Sequence, residues 1–217
     1  MWALRPGLPA GRYPMESGRV RVYDVYLIGV GGQGLLTIGE VLAEAAVRLG
    51  MPAHLYPYKG MAQRGGLVRA QLRLGRETVG PSIPPRGADL VVAMEVSEAL
   101  RAVRFLKPGG EFLLYGERWL PTAVMLGKAS YPAPETVLDA IRAAGGRPLY
   151  LPPDGCPADE RGPLPANIYV LGAAMGQTSL GEHLSPETVE AVLQTWRAAE
   201  RNLAAFRAGL KAVMNPL

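Results

Sequence analysis

The chain has 217 residues, 48% of them hydrophobic and 19% charged, which is enough apolar surface to build one core and too much for a disordered chain. Lys and Arg number 23 against 19 Asp and Glu, and the cations are scattered singly, so the net charge of +4 indicates no nucleic-acid patch. A single cysteine, Cys156, excludes an intrachain disulfide framework and a four-cysteine iron–sulfur or zinc site, and two histidines, His54 and His183, argue against a multi-histidine metal centre.

Residues 1–20 read as a poorly ordered leader, with Met15 an alternative start to Met1, and residues 21–217 read as one domain. Residues 1–14 lack the apolar stretch of a signal peptide, and no apolar run approaches the roughly 18–20 residues that span a bilayer. A soluble, cytoplasmic protein without a membrane partner is expected.

Val22–Ile28 is a β-branched and aromatic run that stops at glycines, as a buried strand does. From Gln33 to Leu49 the residues Leu36, Val41, Leu42, Ala45 and Leu49 recur at helical spacing, and Gly50 supplies the stop. A short strand over Ala53–Tyr56, a glycine-rich loop over 60–66 and an alternating, half-exposed strand over Leu67–Leu74 follow. After the loop 81–89, Leu90–Met94 reads as a buried strand, Ser97–Leu106 as a helix, and Glu111–Tyr115 as a strand. A helix over Glu135–Ala144, a strand over Pro148–Leu151 and a Pro/Gly loop over 152–165 come next. Two helices close the chain, over 166–178 and 186–211. Strand–helix alternation with short connections predicts a doubly wound, mostly parallel, Rossmann-like α/β sheet with helices on both faces. The final helix would run about 26 residues, roughly 39 Å at 1.5 Å per residue. Its seam of Val189, Val192, Trp196, Ala199, Leu203, Phe206, Leu210 and Val213 suits either a sheet cover or a docking element.

Gly29-Val30-Gly31-Gly32-Gln33-Gly34 fits G-x-G-x-x-G and stands between a strand and a helix, where such a turn lets an anion approach bare backbone at a helix start. The plain alternative is a tight, closely packed turn. A dinucleotide site needs an acid about 20 residues on, at the end of the second strand. That strand ends in Leu55-Tyr56-Pro57-Tyr58-Lys59, without one. The fingerprint is half missing, and the phosphates of some other cofactor suit the loop better. A second glycine loop, Gln63-Arg64-Gly65-Gly66, should lie beside the first, with Arg64 either over an anion or solvated.

Catalytic machinery is hard to find. The chain has no G-x-S-x-G elbow, no G-K-[ST] phosphate loop and no H-E-x-x-H helix. Cys156 reads as a free loop thiol, His54 as packed or hydrogen-bonded in its strand, and His183 as solvated. Glu95 follows a buried strand, where either a functional acid or a helix-capping carboxylate would stand.

The runs VYLIGVGGQGLLTIGEVLAEAA, KGMAQRGGLVRAQLRLG and PRGADLVVAMEVSEALR with LKPGG, and later NIYVLG and NLAAFRAG, resemble the gamma-type subunits of 2-oxoacid:ferredoxin oxidoreductases. Within that group they look like the beta subunits of the indolepyruvate enzymes. The resemblance implies oxidative decarboxylation of an aryl 2-oxoacid with coenzyme A, the electrons passing to ferredoxin through the complex. It places thiamine diphosphate and [4Fe-4S] clusters on a large alpha subunit, and leaves a dimer of heterodimers open as the assembly. Gly29, Gly31, Gly32, Gln33, Gly34, Arg64, Gly65 and Gly66 are the expected ligand-binding residues, with coenzyme A the candidate contact, no catalytic residue and no metal ligand. A pyruvate or 2-oxoglutarate enzyme, and a purely structural assembly module, stay open as alternatives.

Overall fold

The computed structural model describes residues 22–60 and 66–213, so the expected leader and Arg64 and Gly65 lie outside the described residues. In chain order the elements are β1 (Tyr23–Val30), α1 (Leu35–Arg48), β2 (Ala53–Lys59), β3 (Leu67–Leu74), β4 (Ala88–Ala93), α2 (Val96–Ala102), β5 (Leu106–Tyr115), α3 (Thr122–Met125), α4 (Pro134–Ala143), β6 (Arg147–Leu151), α5 (Ala166–Gln177), α6 (Pro186–Leu193) and α7 (Ala199–Leu210), with a two-stranded ribbon of two-residue strands between Ala158 and Pro163. No helix of the described residues is long and apolar enough to cross a membrane.

The main sheet runs β2-β3-β1-β4-β5-β6, with β1, β4, β5 and β6 parallel and β3 antiparallel to both β1 and β2. Alternation along the buried strands sends side chains to two cores. Val25, Leu27, Leu90, Val92 and Leu113 face α1, α5, α6 and α7, while Tyr26, Ile28, Val91, Ala93 and Phe112 face α2 and α4. Helices therefore cover both faces, as the alternation of elements predicts.

Three details differ from the sequence reading. The strand after α1 does not lie beside β1, because β3 is inserted between them; Pro57 is tolerated because β2 is an edge strand. The run Lys107-Pro108-Gly109-Gly110, which lies between the expected helix over Ser97–Leu106 and the expected strand over Glu111–Tyr115, belongs to β5, whose register against β4 shifts between Ala88 and Leu90. The single long C-terminal helix is corrected to two, because Ala198 takes a left-handed φ of 57° and breaks the run.

Two polar contacts fix the sheet. Asp24 and Arg73 are partners across the β1–β3 ladder, and their buried side chains meet bidentately, Nε to Oδ1 and Nη2 to Oδ2 both at 2.9 Å, with Arg76 Nη1 on Oδ1 at 2.6 Å. On β5, Glu111 accepts from Ser179 N and Oγ, each at 2.7 Å, and from Arg147 on β6. Burial pushes its carboxyl up, but these hydrogen bonds outweigh it and hold the group below the usual glutamate range.

The last helix is core. Phe206 is fully buried, and α7 crosses α5 so closely that a Cβ at Gly172 would stand 2.1 Å from Phe206 O, and one at Gly209 would stand 2.1 Å from Tyr169 O. Most of the seam thus packs inward: Val189, Val192 and Phe206 are fully buried and Trp196, Leu203 and Leu210 half-buried, while Val213 is exposed. In an open helix, Gly209→Ala would gain about 1 kcal/mol of propensity. Here the added carbon meets a backbone carbonyl that cannot step aside, and overpacking of about 1–3 kcal/mol wins. Urea unfolding of Gly209→Ala should show a lowered midpoint, and an unchanged or raised midpoint would contradict the close crossing.

Candidate functional site

Parallel strands of an open α/β sheet leave a crevice at their carboxyl ends. Here one side chain bridges two of those ends. Gln33 Oε1 accepts from Val30 N at 2.9 Å, while Nε2 donates to Met94 O at 2.8 Å and to Glu117 Oε2 at 3.0 Å. One carboxamide thus satisfies a donor at the end of β1 and an acceptor just past β4, and reaches the segment after β5.

The glycines follow from this clamp. A Cβ at Gly29 would stand 2.7 Å from Gln33 Oε1 and 3.0 Å from Met94 Cβ, so the amide fits only over bare backbone. Gly34 caps α1 with a left-handed φ of 69°, and Asn167 Nδ2 donates to its carbonyl at 3.2 Å. Gly31 N donates to Gly66 O at 2.9 Å, so the first glycine loop meets Gly66, the described end of the second. Because β3 runs antiparallel beside β1, Gly66 is the residue that flanks the glycine loop there, where a dinucleotide site would need an acid.

Between the loop and its neighbours lies a cavity of about 440 Å³, lined by Gly31, Gly32, Gln33 and Gly34, by Met94, by Glu117 and Trp119 after β5, and by Ala166 and Asn167 at the start of α5. Two helices, α1 and α5, begin at this cavity. Neither has an acidic residue in its first turn or a side-chain cap, so their N–H groups and dipoles favour an anion. Glu117 opposes that field in part, while Gln33 Nε2 holds its carboxylate.

Of the expected binding residues, Gly31, Gly32, Gln33 and Gly34 line the cavity, Gly29 supports Gln33 from the strand, and Gly66 joins through its carbonyl. Composition and periodicity do not bring Met94, Glu117 or Trp119 to the site. Asn167 stands in a run that carries the resemblance, and a polar side chain opening a helix straight after Pro165 is the signal for it.

The remaining candidates have structural duties. Glu95 is fully buried and caps α2: Oε2 accepts from Glu98 N at 2.8 Å and Ser97 Oγ at 2.7 Å, and Oε1 accepts from Trp119 N at 3.1 Å and from Tyr131 Oη. The capping alternative is therefore the correct one. His54 Nε2 bonds the Arg76 carbonyl at 2.9 Å. His183 is not simply solvated: it is half-buried and its ring lies 4.3 Å from that of Tyr23. Cys156 is a half-buried loop thiol whose pKa burial pushes up, which favours the inert protonated form.

Comparison with known proteins identifies the family and the fold. The family described as pyruvate ferredoxin/flavodoxin oxidoreductase matches residues 24–212. The indolepyruvate oxidoreductase subunit IorB of Archaeoglobus fulgidus is 33% identical over 193 residues, 86% of this chain and 92% of that one. Two solved structures share the fold. The pyruvate oxidoreductase subunit PORC of Thermotoga maritima has a TM-score of 0.62 at 22% identity, covering 88% of this chain and 96% of its own. A 2-oxoglutarate:ferredoxin oxidoreductase of Magnetococcus marinus, solved with 2-oxoglutarate, coenzyme A and succinyl-CoA bound, has a TM-score of 0.59 at 18% identity, with 87% of this chain matching 30% of the longer one.

The clamp has a direct test. Gln33→Glu keeps the shape but loses the donor to Met94 O and sets a second carboxylate against Glu117. It should cost about 1–3 kcal/mol of unfolding free energy. Adding Glu117→Gln, which restores a donor and removes a charge, should recover part of that loss. A Gln33→Glu protein as stable as the wild type would contradict the clamp.

Proposed function

This chain belongs to the pyruvate ferredoxin/flavodoxin oxidoreductase family, and from that premise we propose that it is the smaller, non-cofactor subunit of a cytoplasmic indolepyruvate or other arylpyruvate:ferredoxin oxidoreductase. In this reading the complex converts a 2-oxoacid, coenzyme A and two oxidised ferredoxins into an acyl-CoA, carbon dioxide, a proton and two reduced ferredoxins. The observation that carries the proposal is the extent of the likeness to the indolepyruvate subunit, which covers 86% of this chain and 92% of that one.

The chain's own residues do not fit an iron–sulfur cluster, since one cysteine cannot supply four thiolates. Among the described residues, no group of three or more His, Cys, Asp or Glu side chains is arranged to hold a metal. In this reading the clusters and thiamine diphosphate belong to the larger subunit, as the family resemblance implies. What this chain offers is the glycine edge. Gly29, Gly31, Gly32, Gln33, Gly34, Arg64, Gly65 and Gly66 are proposed to receive the phosphate-bearing part of coenzyme A, on the support of two uncapped helix starts and bare backbone around the cavity.

Two measurements test this. The purified chain alone should turn over no 2-oxoacid, and activity with indolepyruvate, coenzyme A and ferredoxin should appear on adding the larger subunit; turnover by the chain alone would overturn the assignment. In the complex, Arg64→Ala removes one charge-assisted contact and should raise the KM for coenzyme A about tenfold, leaving the KM for the 2-oxoacid unchanged. An unchanged KM for coenzyme A removes Arg64 from the site and favours a purely structural assembly module.

A further inference from the structure

Single exposed apolar side chains are ordinary on a protein surface, but several large ones gathered on one short segment mark a place that something covers. Four of the exposed large hydrophobic residues lie within eight positions of one another: Trp119 (45% exposed), Leu120 (41%), Met125 (64%) and Leu126 (62%). The others are dispersed near the start of β1, on α1, β2 and α2, and at Val213. The four stand on the excursion that leaves the carboxyl end of β5, passes through α3 and returns toward α4.

This excursion is held firmly from beneath. Glu95, with none of its surface exposed, accepts from Trp119 N at one end and from Tyr131 Oη at the other. Val96 N donates to Glu117 O at 3.1 Å, and Gln33 Nε2 grips the Glu117 carboxylate. The Arg118 guanidinium packs on the Tyr131 ring, 4.8 Å from its centre, and gives the patch a cationic rim. A segment fixed by a buried carboxylate, with its large apolar side chains turned outward, is pre-organised for association. Trp119 belongs both to this patch and to the wall of the glycine-loop cavity, so whatever sits on the patch also borders the cavity.

We propose that the excursion from Glu117 to Tyr131 is the platform on which the larger subunit of the oxidoreductase docks, and that docking completes the cavity wall at Trp119. The inference rests on the functional reading above. The occupant follows from the relatives: the matched proteins are named as subunits, and in the Magnetococcus enzyme a domain of this fold makes up 30% of one longer chain, so it is built together with the remainder of an oxidoreductase. The partner surface that fits is apolar at its centre, with carboxylates at the rim opposite Arg118 and Lys128.

The test uses the full chain and the larger subunit produced from the same genome. Met125→Glu and Leu126→Glu change side chains that touch little, so circular dichroism and thermal midpoints should stay those of the wild type. Their affinity for the larger subunit, measured by titration calorimetry, should fall at least tenfold. Val47→Glu, on the equally exposed end of α1 at the opposite edge of the sheet, should bind unchanged. Wild-type affinity in both patch variants would overturn the platform while leaving the subunit reading intact. Failure of the wild-type chain itself to bind would overturn both. Sedimentation of the chain alone should show no patch-dependent self-association; a dimer lost in Leu126→Glu would assign the patch to a second copy and overturn the proposal.

Discussion

Backbone groups at the ends of buried strands must find partners, and at the carboxyl edge of this sheet one carboxamide supplies them for two strands at once. Gln33 closes the gap between β1 and the residue after β4 and holds the carboxylate that begins the excursion after β5. Much else at this edge follows from it. Gly29 is needed because the amide lies on its Cα, Gly34 because the chain must turn left-handed into α1, and Glu117 is held where the apolar segment begins.

The strand order leaves the G-x-G-x-x-G turn without the acid that a dinucleotide site needs. In a dinucleotide fold the neighbouring parallel strand brings an acid to the ribose. In this chain β3 takes that place in the opposite direction and brings Gly66, whose carbonyl binds the Gly31 N–H. The edge is left with bare backbone, two helix starts and a single carboxylate already engaged. In the functional reading proposed above, this edge receives a phosphate-bearing ligand alongside a partner.

Much of this was legible in the residues. β1, α1 and β4 are strongly patterned, and the glycine loop between them marks its own position, so the parallel half of the sheet and the meeting of the first glycine loop with Gly66 follow from pattern alone. The insertion of β3 was not legible, because alternation shows that a strand is half-exposed but not which neighbour it pairs with. The break before α7 was hidden as well: residues 194–198 hold neither glycine nor proline to announce the left-handed turn at Ala198. Trp119 and its neighbours lie in a segment without periodicity, and their exposure is a property of the fold that no spacing rule announces.

The central claim is that the glycine-loop edge is the face turned toward the rest of the enzyme. Hydrogen–deuterium exchange of the chain alone and in complex with the larger subunit tests it most directly, since backbone amides report burial without any substitution. The account predicts that new protection concentrates in residues 29–36 and 117–126 and leaves the turn after α1, residues 47–52, unchanged. Protection confined to that opposite edge, with the glycine loop and the Trp119 segment exchanging as in the free chain, would contradict it.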